Sequence, residues 1–485
     1  MRFGEDFCRC REALCVKWEG WSWSGAPWEV SWRLWRQLRF PYQALRPCYV
    51  QRDCSKARVQ AIVGSFVLTL CLQPLHCVAQ QYAWGRYGSS STVARMKDAQ
   101  ALQEDDEDFF IDESAPYAEL WLGTHPSGMS EVTVHKELQH GDFTTSSQKH
   151  SLLEYVQSDP TLHCGSVQDF SFLLKILSVR KVLSIQAHPD KELAEKLHTE
   201  RPDVYKDPNH KPEMAIAISK EVRALCGFRP LEEISRHLDE YPEFSDLLGP
   251  KTVAEIRAGD EDVRHVLQDM FHGYIEAEEA VIHAHVEQMI SRLRSLDEKN
   301  ETQELILQLE QMFPGDCGIF APLIFNLVKL NQGEGLFIAA NEPHAYVSGE
   351  ILECMACSDN VVRAGLTPKL KDVHTLVNML TYKTTMPKIE TGHRIDDCTV
   401  RYQPPVDDFM VDMHFVPAGQ TYEIQAVDSA SVLLVLEGEA SLKQDSICSL
   451  DVSFGSAAFL SANTHCQVEA GPFGVCVVRA CSNLR

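Results

Sequence analysis

The chain has 485 residues and a net charge of −24, from 45 basic and 69 acidic side chains. Such a length exceeds one ordinary core, so we expect two or three packed units. The negative charge repels phosphate backbones and anionic membranes, which argues against nucleic acid as a partner. The 17 cysteines are odd in number and lack the dense spacing of a secreted disulfide scaffold. We interpret them as reduced thiols of a cytoplasmic protein.

Residues 1–70 differ in composition from the rest, since they hold 6 of the 8 Trp and 11 basic against 6 acidic side chains. Within them, an apolar run over 61–72 follows several basic residues and imitates a signal anchor. It is shorter than the roughly 20 residues that span a bilayer as a helix. We therefore predict an atypical, disordered leader over 1–70 and no membrane insertion.

Texture changes along the remainder of the chain. From 75 to 190, short apolar runs such as 117–122 and 172–185 are broken by Gly, Pro, Ser and Asp, which predicts strands. Between 231 and 313, apolar residues recur at spacings of three and four, which predicts an all-helical insert. Strand texture resumes at Cys317 and continues to the end.

One internal repeat is visible. The run Gly333-x-x-x-Phe337-Ile338-x-Ala340-Asn341 recurs as Gly455-x-x-x-Phe459-Leu460-x-Ala462-Asn463. Each copy is followed within three residues by a histidine, His344 in the first and His465 in the second. Two copies predict two related barrels. Chance is the alternative, because small-residue turns before short strands recur in all β-barrels.

A metal constellation is the most informative feature. If residues 182–188 form a strand, Gln186 and His188 lie on one face, about 7 Å apart along the backbone. Glu213 supplies a carboxylate and His344 a second imidazole. This set of nitrogen and oxygen donors suits zinc with an exchangeable water or substrate oxygen.

Purely structural roles for the same residues stay open as alternatives. A single histidine is more often structural than a metal ligand, and a single glutamate is more often a solvated carboxylate. His198 and His210 compete for the ligand role, and Gln is an unusual zinc ligand.

Several blocks of sequence resemble the signatures of type I mannose-6-phosphate isomerases, which are cupin-superfamily enzymes. These blocks are Gln81-Tyr82-Ala83-Trp84-Gly85, Ala118-Glu119-Leu120-Trp121, Ser184-Ile185-Gln186-Ala187-His188-Pro189, His210-Lys211-Pro212-Glu213-Met214, Glu353 to Asn360 and Arg363 to Lys369. The likeness runs from about Leu75 to the C-terminus. It implies a mainly β fold with cupin-type jelly-roll barrels, catalytic and C-terminal, and an inserted α-helical domain.

The changes in apolar spacing along the chain, together with the resemblance, set the expected domain bounds, and the resemblance implies the metal site. The bounds are 71–230 and 314–385 for the two parts of the catalytic barrel, 231–313 for the helical insert and 386–485 for the C-terminal jelly roll. One Zn²⁺ per chain is implied, with Gln186, His188, Glu213 and His344 as ligands. The second repeat ends at His465 without a Gln-x-His strand, so we expect no metal in the C-terminal barrel.

The activity implied is zinc-dependent interconversion of mannose 6-phosphate and fructose 6-phosphate, which supplies mannose for GDP-mannose synthesis and glycosylation. It moves a proton between C1 and C2 through an enediol(ate). The candidate catalytic residues are Arg363, Lys211 and Glu353, and the candidate substrate-binding residues are Trp84, Ser184, Lys211, Tyr346, Asp359 and Lys369. The group that moves the proton stays open among Lys211, His210, Glu353 and a zinc-bound water.

Two other functions compete. A cupin oxygenase would hold Fe(II) with two histidines and one carboxylate, and Gln186 speaks against it. A non-catalytic sugar-binding cupin is the second, and it predicts a degraded metal site. As partners we expect only a small sugar phosphate, with the chain a monomer.

Overall fold

A computed structural model describes residues 71–103, 109–136, 146–259, 262–444 and 448–484. The predicted leader over 1–70 lies outside these residues. In chain order the strands are β1 (Leu72–His76), β2 (Val78–Gln80), β3 (Arg86–Tyr87), β4 (Pro116–Tyr117), β5 (Glu119–Gly123), β6 (Glu131–Lys136), β7 (Ser146–Ser151), β8 (Phe172–Val179), β9 (Ile185–Ala187), β10 (Glu213–Ala217), β11 (Glu221–Phe228), β12 (Phe325–Asn331), β13 (Gly335–Ile338), β14 (His344–Ala356), β15 (Val362–Gly365), β16 (Ile389–Glu390), β17 (His393–Arg394), β18 (Thr399–Tyr402), β19 (Met410–Val416), β20 (Thr421–Ile424), β21 (Ser431–Gln444), β22 (Cys448–Ser453), β23 (Ala457–Leu460) and β24 (Cys466–Cys481).

The helices are α1 (Thr92–Gln103), α2 (Leu152–Ser158), α3 (Pro160–Cys164), α4 (Lys191–Glu200), α5 (Leu231–Glu240), α6 (Pro242–Ala258), α7 (Val263–Ile275), α8 (Glu279–Arg294), α9 (Glu301–Met312), α10 (Ala321–Ile324) and α11 (Val373–Met379). None of the helices within the described ranges combines the length and apolarity that crossing a membrane requires.

Two antiparallel sheets carry the same strand order. The first runs β16-β13-β10-β14-β8-β5-β2. The second, given in the equivalent direction, runs β1-β23-β21-β24-β19-β18-β17, and it extends beyond β1 to β6 and β7. The first sheet gains β9, β11, β12 and β15, and the second gains β20 and β22. This is the mainly β, cupin-type architecture that the sequence predicts, and we call the two units the catalytic barrel and the C-terminal barrel.

Alternation of side chains along the central strands builds three apolar layers. Ile176 of the first sheet and Val432 of the second lie in one core that joins the two barrels. Their chain neighbours Leu177 and Leu433 point the other way, into the separate interiors of the two barrels. Because both faces are buried, these strands appear in the sequence as continuous apolar runs.

The internal repeat is confirmed by the backbone. Gly333 and Gly455 both adopt positive φ, at 84° and 86°. Asn341 and Asn463 do so as well, at 64° and 57°, a conformation that Asn tolerates better than most residues with a side chain. Each copy is therefore a glycine turn, a short strand and a left-handed asparagine.

Helices α5 to α9 fill the segment where apolar spacing predicts them, and Ile234, Phe271 and Leu309 share one buried core. Two expectations need correction. Helix α1 and the short α2 and α3 interrupt a stretch where only strands were predicted. In α1 the reason is its Ala, Met, Gln and Leu content, which favours helix over strand.

The second correction concerns the strand expected over 182–188, because β9 covers only Ile185–Ala187. His188 follows the strand directly and precedes Pro189, which has no N–H to donate to a ladder. Gln186 and His188 nevertheless reach the same centre.

Candidate metal centre

Three buried side chains converge inside the catalytic barrel. His188, Glu213 and His344 are each 1 % exposed, and one potential ligand atom from each lies within 4.8 Å of the others. Glu213 opens β10 and His344 opens β14, while Gln186 of β9 is the direct cross-strand partner of His344. The strand ends, far apart in sequence, thereby bring all four predicted ligands together.

Hydrogen bonds fix which imidazole nitrogen faces the centre. Nδ1–H of His188 donates to the carbonyl of Asn360 at 2.7 Å, and Nδ1–H of His344 donates to that of Glu342 at 3.1 Å. With the proton assigned to Nδ1 in this way, each Nε2 directs a lone pair at a carboxylate oxygen of Glu213, at 3.2 and 3.4 Å. Four electron-rich atoms then face one another, an arrangement that a bound cation stabilises.

Burial also keeps His188 uncharged. It lowers the pKa of His188 to about 4, with the nearby Lys211 ammonium adding to the effect. At neutral pH the ring is therefore an unprotonated donor, the form that binds metals.

Gln186 completes the ring of donors. Its Nε2 lies 3.5 Å from Nε2 of both His188 and His344, and its Oε1 accepts from Ser184 Oγ at 3.0 Å. Half a turn of the amide exchanges the two atoms and presents Oε1 to an ion. The backbone N–H of Asn341 donates to the carbonyl of His188 at 2.7 Å, so the repeat's left-handed asparagine helps to place a ligand.

Lys211 and Tyr346 hold the carboxylate of Glu213. Nζ of Lys211 is 2.9 Å from Oε1, and the hydroxyl of Tyr346 donates to Oε2 at 3.3 Å. Burial disfavours the charged form of Glu213, but the ammonium group of Lys211 outweighs it and holds the pKa of Glu213 well below its usual range. Glu213 therefore remains ionised.

A second buried network, which the sequence interpretation missed, lies beside this centre. Lys175 Nζ is 3.3 Å from carboxylate oxygens of both Glu119 and Glu353, and Glu119 also accepts from Trp121 Nε1 at 2.6 Å. Burial, followed by Glu213, raises the pKa of Glu353. The available signal was Lys175 itself, because it is the one charged residue in the apolar run of β8.

Arg363 lies on β15 directly opposite Gln186. It is half-buried, and burial lowers the pKa of its guanidinium. Within the part of the chain that the structure describes, no hydrogen bond or ion pair joins Arg363 to an acidic residue. A cation beside the centre without an acidic partner favours an anionic ligand.

The other predicted site residues lie further out. Asp359 is 3.2 Å from Nε2 of the buried His125, a residue that the sequence interpretation did not single out. Trp84 packs partly buried against the interior of the catalytic barrel, and Lys369 is exposed. No described hydrogen bond or ion pair links these three to the four central donors.

The competing histidines take other roles. The ring of His198 donates through Nδ1 to the carbonyl of Tyr205 at 2.8 Å. His210 pairs with Asp408 at 3.0 Å. Neither belongs to the convergent cluster.

Fold and site together define a jelly-roll protein of the cupin type with a buried His/Glu/His metal-binding centre. Family models agree on a narrower class. Models for phosphomannose isomerase type I match residues 72–231 for its catalytic domain, 247–325 for its helical insertion domain and 400–447 for its C-terminal region. The chain belongs to the type I phosphomannose isomerase family, and it is an isomerase.

Relatives along most of the chain support this membership. The mannose-6-phosphate isomerase 2 of Arabidopsis thaliana is 41% identical over 82% of this chain and 90% of its own length. The mannose-6-phosphate isomerase of Homo sapiens is 39% identical over 84% of this chain and 98% of its own length. A Salmonella typhimurium mannose 6-phosphate isomerase structure, bound to its substrate f6p and to zinc, has a TM-score of 0.70 at 28% identity and covers 86% of this chain and all of that one.

Proposed function

We propose that this chain interconverts mannose 6-phosphate and fructose 6-phosphate with one zinc ion, held by Gln186, His188, Glu213 and His344. The observation that carries the proposal is the convergence of Nε2 of His188 and Nε2 of His344 on the buried carboxylate of Glu213, which remains ionised. Relatives named as mannose-6-phosphate isomerases and a zinc-bound structural neighbour support the substrate and the metal. When bound, zinc supplies Lewis-acid polarisation of substrate oxygens without redox chemistry.

The donor set by itself also fits the two histidines and one carboxylate of an Fe(II) oxygenase. Family membership decides against that alternative, and Gln186 supplies a further donor. A non-catalytic sugar-binding barrel is disfavoured because every proposed ligand position is filled and brought together.

We assign to Arg363 the stabilisation of negative charge on the substrate during the reaction. Transfer of a proton between C1 and C2 creates an enediolate, whose oxygens need positive charge in a site shielded from water. Arg363 is always charged, lies beside Gln186 and has no acidic partner among the described residues. It can therefore stabilise the developing oxyanion or clamp the phosphate.

Lys211 and Glu353 are the proposed proton carriers. Lys211 touches Glu213 directly, and Glu353 lies opposite Ala215, two residues along the same strand. The raised pKa of Glu353 makes its carboxyl easier to protonate than an exposed one, which suits a group that takes and returns a proton.

The remaining candidates would bind the sugar phosphate. Tyr346 and Ser184 already contact the ligands Glu213 and Gln186. Trp84, Asp359 and Lys369 make no described hydrogen bond or ion pair to the four central donors, and Lys369 supplies exposed positive charge in a chain whose net charge is −24. A dianionic phosphate requires such a local excess of cations.

A coupled assay on mannose 6-phosphate, with and without a chelator, tests the proposal. We expect turnover to disappear on chelation and to return with zinc. Full activity in a sample verified as metal-free would contradict the zinc site, and iron with oxygen uptake would revive the oxygenase.

The cellular setting is part of the proposal. We propose that the product supplies GDP-mannose synthesis and glycosylation from the cytoplasm, and that the chain acts as a monomer without nucleic-acid or membrane partners. The 12 cysteines of the described residues are all free thiols, which is consistent with a reducing compartment. Subcellular fractionation and light scattering would test the location and the oligomeric state.

A further inference from the structure

One residue of the C-terminal barrel reaches the segment that carries the active site. His210 directly precedes Lys211, and its Nε2 lies 3.1 and 3.0 Å from the two carboxylate oxygens of Asp408. Asp408 stands in the connection between β18 and β19, in the C-terminal barrel. The two partners are 198 positions apart in sequence, so only the docking of the two barrels brings them together.

The connection that carries Asp408 is held in place from both sides. The buried Asn483, near the C-terminus, hydrogen-bonds at 2.6 to 3.0 Å to four of its residues, which are Gln403, Pro404, Val406 and Asp407. The carbonyl of Asp408 accepts from Ser171 Oγ of the catalytic barrel at 2.7 Å. An aspartate anchored in this way has little freedom to leave its partner.

The pairing also specifies the state of the imidazole. A carboxylate that accepts Nε2–H fixes the ring's orientation and tautomer, and leaves Nδ1 as a hydrogen-bond acceptor. Over the described part of the chain, no protein group hydrogen-bonds to Nδ1 of His210. That nitrogen belongs to the residue next to Lys211 and has no partner among the described residues.

We propose that Asp408 is a positioning residue for His210, whose Nδ1 accepts a hydrogen bond from a hydroxyl of the bound sugar phosphate. The assignment of the ligand rests on the proposed function. The C-terminal barrel thus completes the active site by supplying a carboxylate.

A double-mutant cycle tests the pairing. The variants are Asp408→Ala, Asp408→Asn, His210→Ala and the double replacement by alanine, with Asp397→Ala as the control. Asp397 is an exposed aspartate of the same barrel, paired with Arg394 at 2.8 Å. We expect Asp408→Ala to lower kcat/KM by about 10 to 100-fold, the range for loss of an orienting outer partner. Asp408→Asn keeps an acceptor oxygen and should retain more activity, and the control should match the unaltered chain.

The decisive result is what Asp408→Ala does once His210 is already alanine. We expect no further loss of activity there, with zinc content and unfolding midpoint unchanged. Additive losses in the double variant, or full activity of Asp408→Ala, would overturn the proposal. If Asp408→Ala does not fold, the same cycle with Asp408→Asn decides, and additive losses in it overturn the proposal too.

A measurement independent of turnover separates this inference from the proposed function. In a sample with ¹⁵N-labelled histidines, His210 should show the Nε2–H tautomer in the unaltered chain and lose that preference in Asp408→Ala, which has no acceptor oxygen. An unaltered chain without isomerase activity would refute the proposed function, whereas an unchanged tautomer in Asp408→Ala would refute the role of Asp408.

Discussion

The two barrels share a strand order and a register but place opposite charges at their centres. In the catalytic barrel, β10 pairs Glu213 with Ile338 and Met355, and in the C-terminal barrel β21 pairs Ser431 with Leu460 and Cys481. The alignment that follows matches Glu213 with Ser431, Glu353 with Arg479 and Lys175 with Asp412. His344 and Cys466 correspond in a different way, because each is the first residue of the long strand of its barrel. One scaffold therefore carries two different interiors.

The difference decides how each interior obtains its positive charge. Arg479 is 2 % exposed, and its guanidinium donates to the carbonyl of Gln425 at 2.7 Å and to Ser431 Oγ at 3.1 Å. In the C-terminal barrel the positive charge is therefore the side chain of Arg479, which contacts Ser431, the counterpart of Glu213. The catalytic barrel instead gathers ligands around a point that an added ion can occupy. This contrast supports the expectation that the C-terminal barrel binds no metal.

The first residues of the two long strands refine the comparison of the repeat. His344 and Cys466 each open the long strand of their barrel, whereas His465 precedes it, is exposed and pairs with Glu423 at 3.0 Å. His465 is therefore not the structural counterpart of His344.

Loss of a metal ligand should have the largest effect, and it should have that effect only in the catalytic barrel. We expect His344→Ala to remove zinc and to abolish measurable turnover, because one of the two imidazole rings that face Glu213 is lost from the centre. Cys466→Ala, the matched change in the other barrel, should leave zinc content and rate unchanged, as should His465→Ala. Metal analysis of the purified variants with the coupled assay checks this, and equal zinc loss in all three would mean that the site was assigned to the wrong barrel.

A slightly smaller effect is expected from the unpaired arginine. Arg363→Ala should lower kcat by about 100 to 1,000-fold, the cost of removing one group that stabilises a developing oxyanion. Zinc should stay bound, since Arg363 is not a ligand. If only KM rises, Arg363 merely binds phosphate.

The paired arginine should affect stability instead. Arg479→Ala removes two hydrogen bonds from a buried charged group, which should lower the free energy of unfolding by about 3 kcal/mol. We expect kcat to stay near that of the unaltered chain. Urea unfolding measures the first effect, and a fall in kcat with unchanged stability would show that Arg479 acts on the reaction.

Local patterns in the sequence were enough to predict the helical segment, because spacings of three and four reveal α5 to α9. The metal ligands were implied by the family resemblance, and the strand expected to align Gln186 with His188 spans only Ile185–Ala187. Helix α1 was not predicted because its 12 residues, which include many good helix formers, lie between short apolar runs that are typical of strands. The strand-like residues on either side led to the prediction of strands there, although the composition of α1 itself favours a helix.

The network around Lys175 depends on contacts that no local pattern encodes. Glu119, Lys175 and Glu353 come from β5, β8 and β14, which are neighbours only once the sheet has formed. The pair of His210 and Asp408 likewise exists only after two barrels dock. Sequence spacing shows which residues share a face, but not which faces meet.

The smallest predicted effect concerns the stability of the fold at acid pH. It compares the buried His414 with the exposed His465, both in the C-terminal barrel. Buried in the C-terminal barrel, His414 has a pKa lowered to about 4, chiefly by burial, whereas an unfolded chain titrates near 6.5. The unfolded state therefore binds the proton first, and stability present above pH 6.5 is lost as the pH falls towards 4. Between pH 7 and pH 5 the loss should be about 2 kcal/mol.

His414→Leu removes the titrating ring, so its free energy of unfolding should fall less over this pH range than that of the unaltered chain. His465→Gln replaces an exposed histidine of the same barrel and serves as the control variant. Urea titrations at pH 7, 6 and 5 compare the three slopes directly. Because zinc release and carboxylate protonation affect all three chains alike, the difference between slopes isolates His414. Identical slopes for His414→Leu and the unaltered chain would show that His414 does not couple folding to protonation.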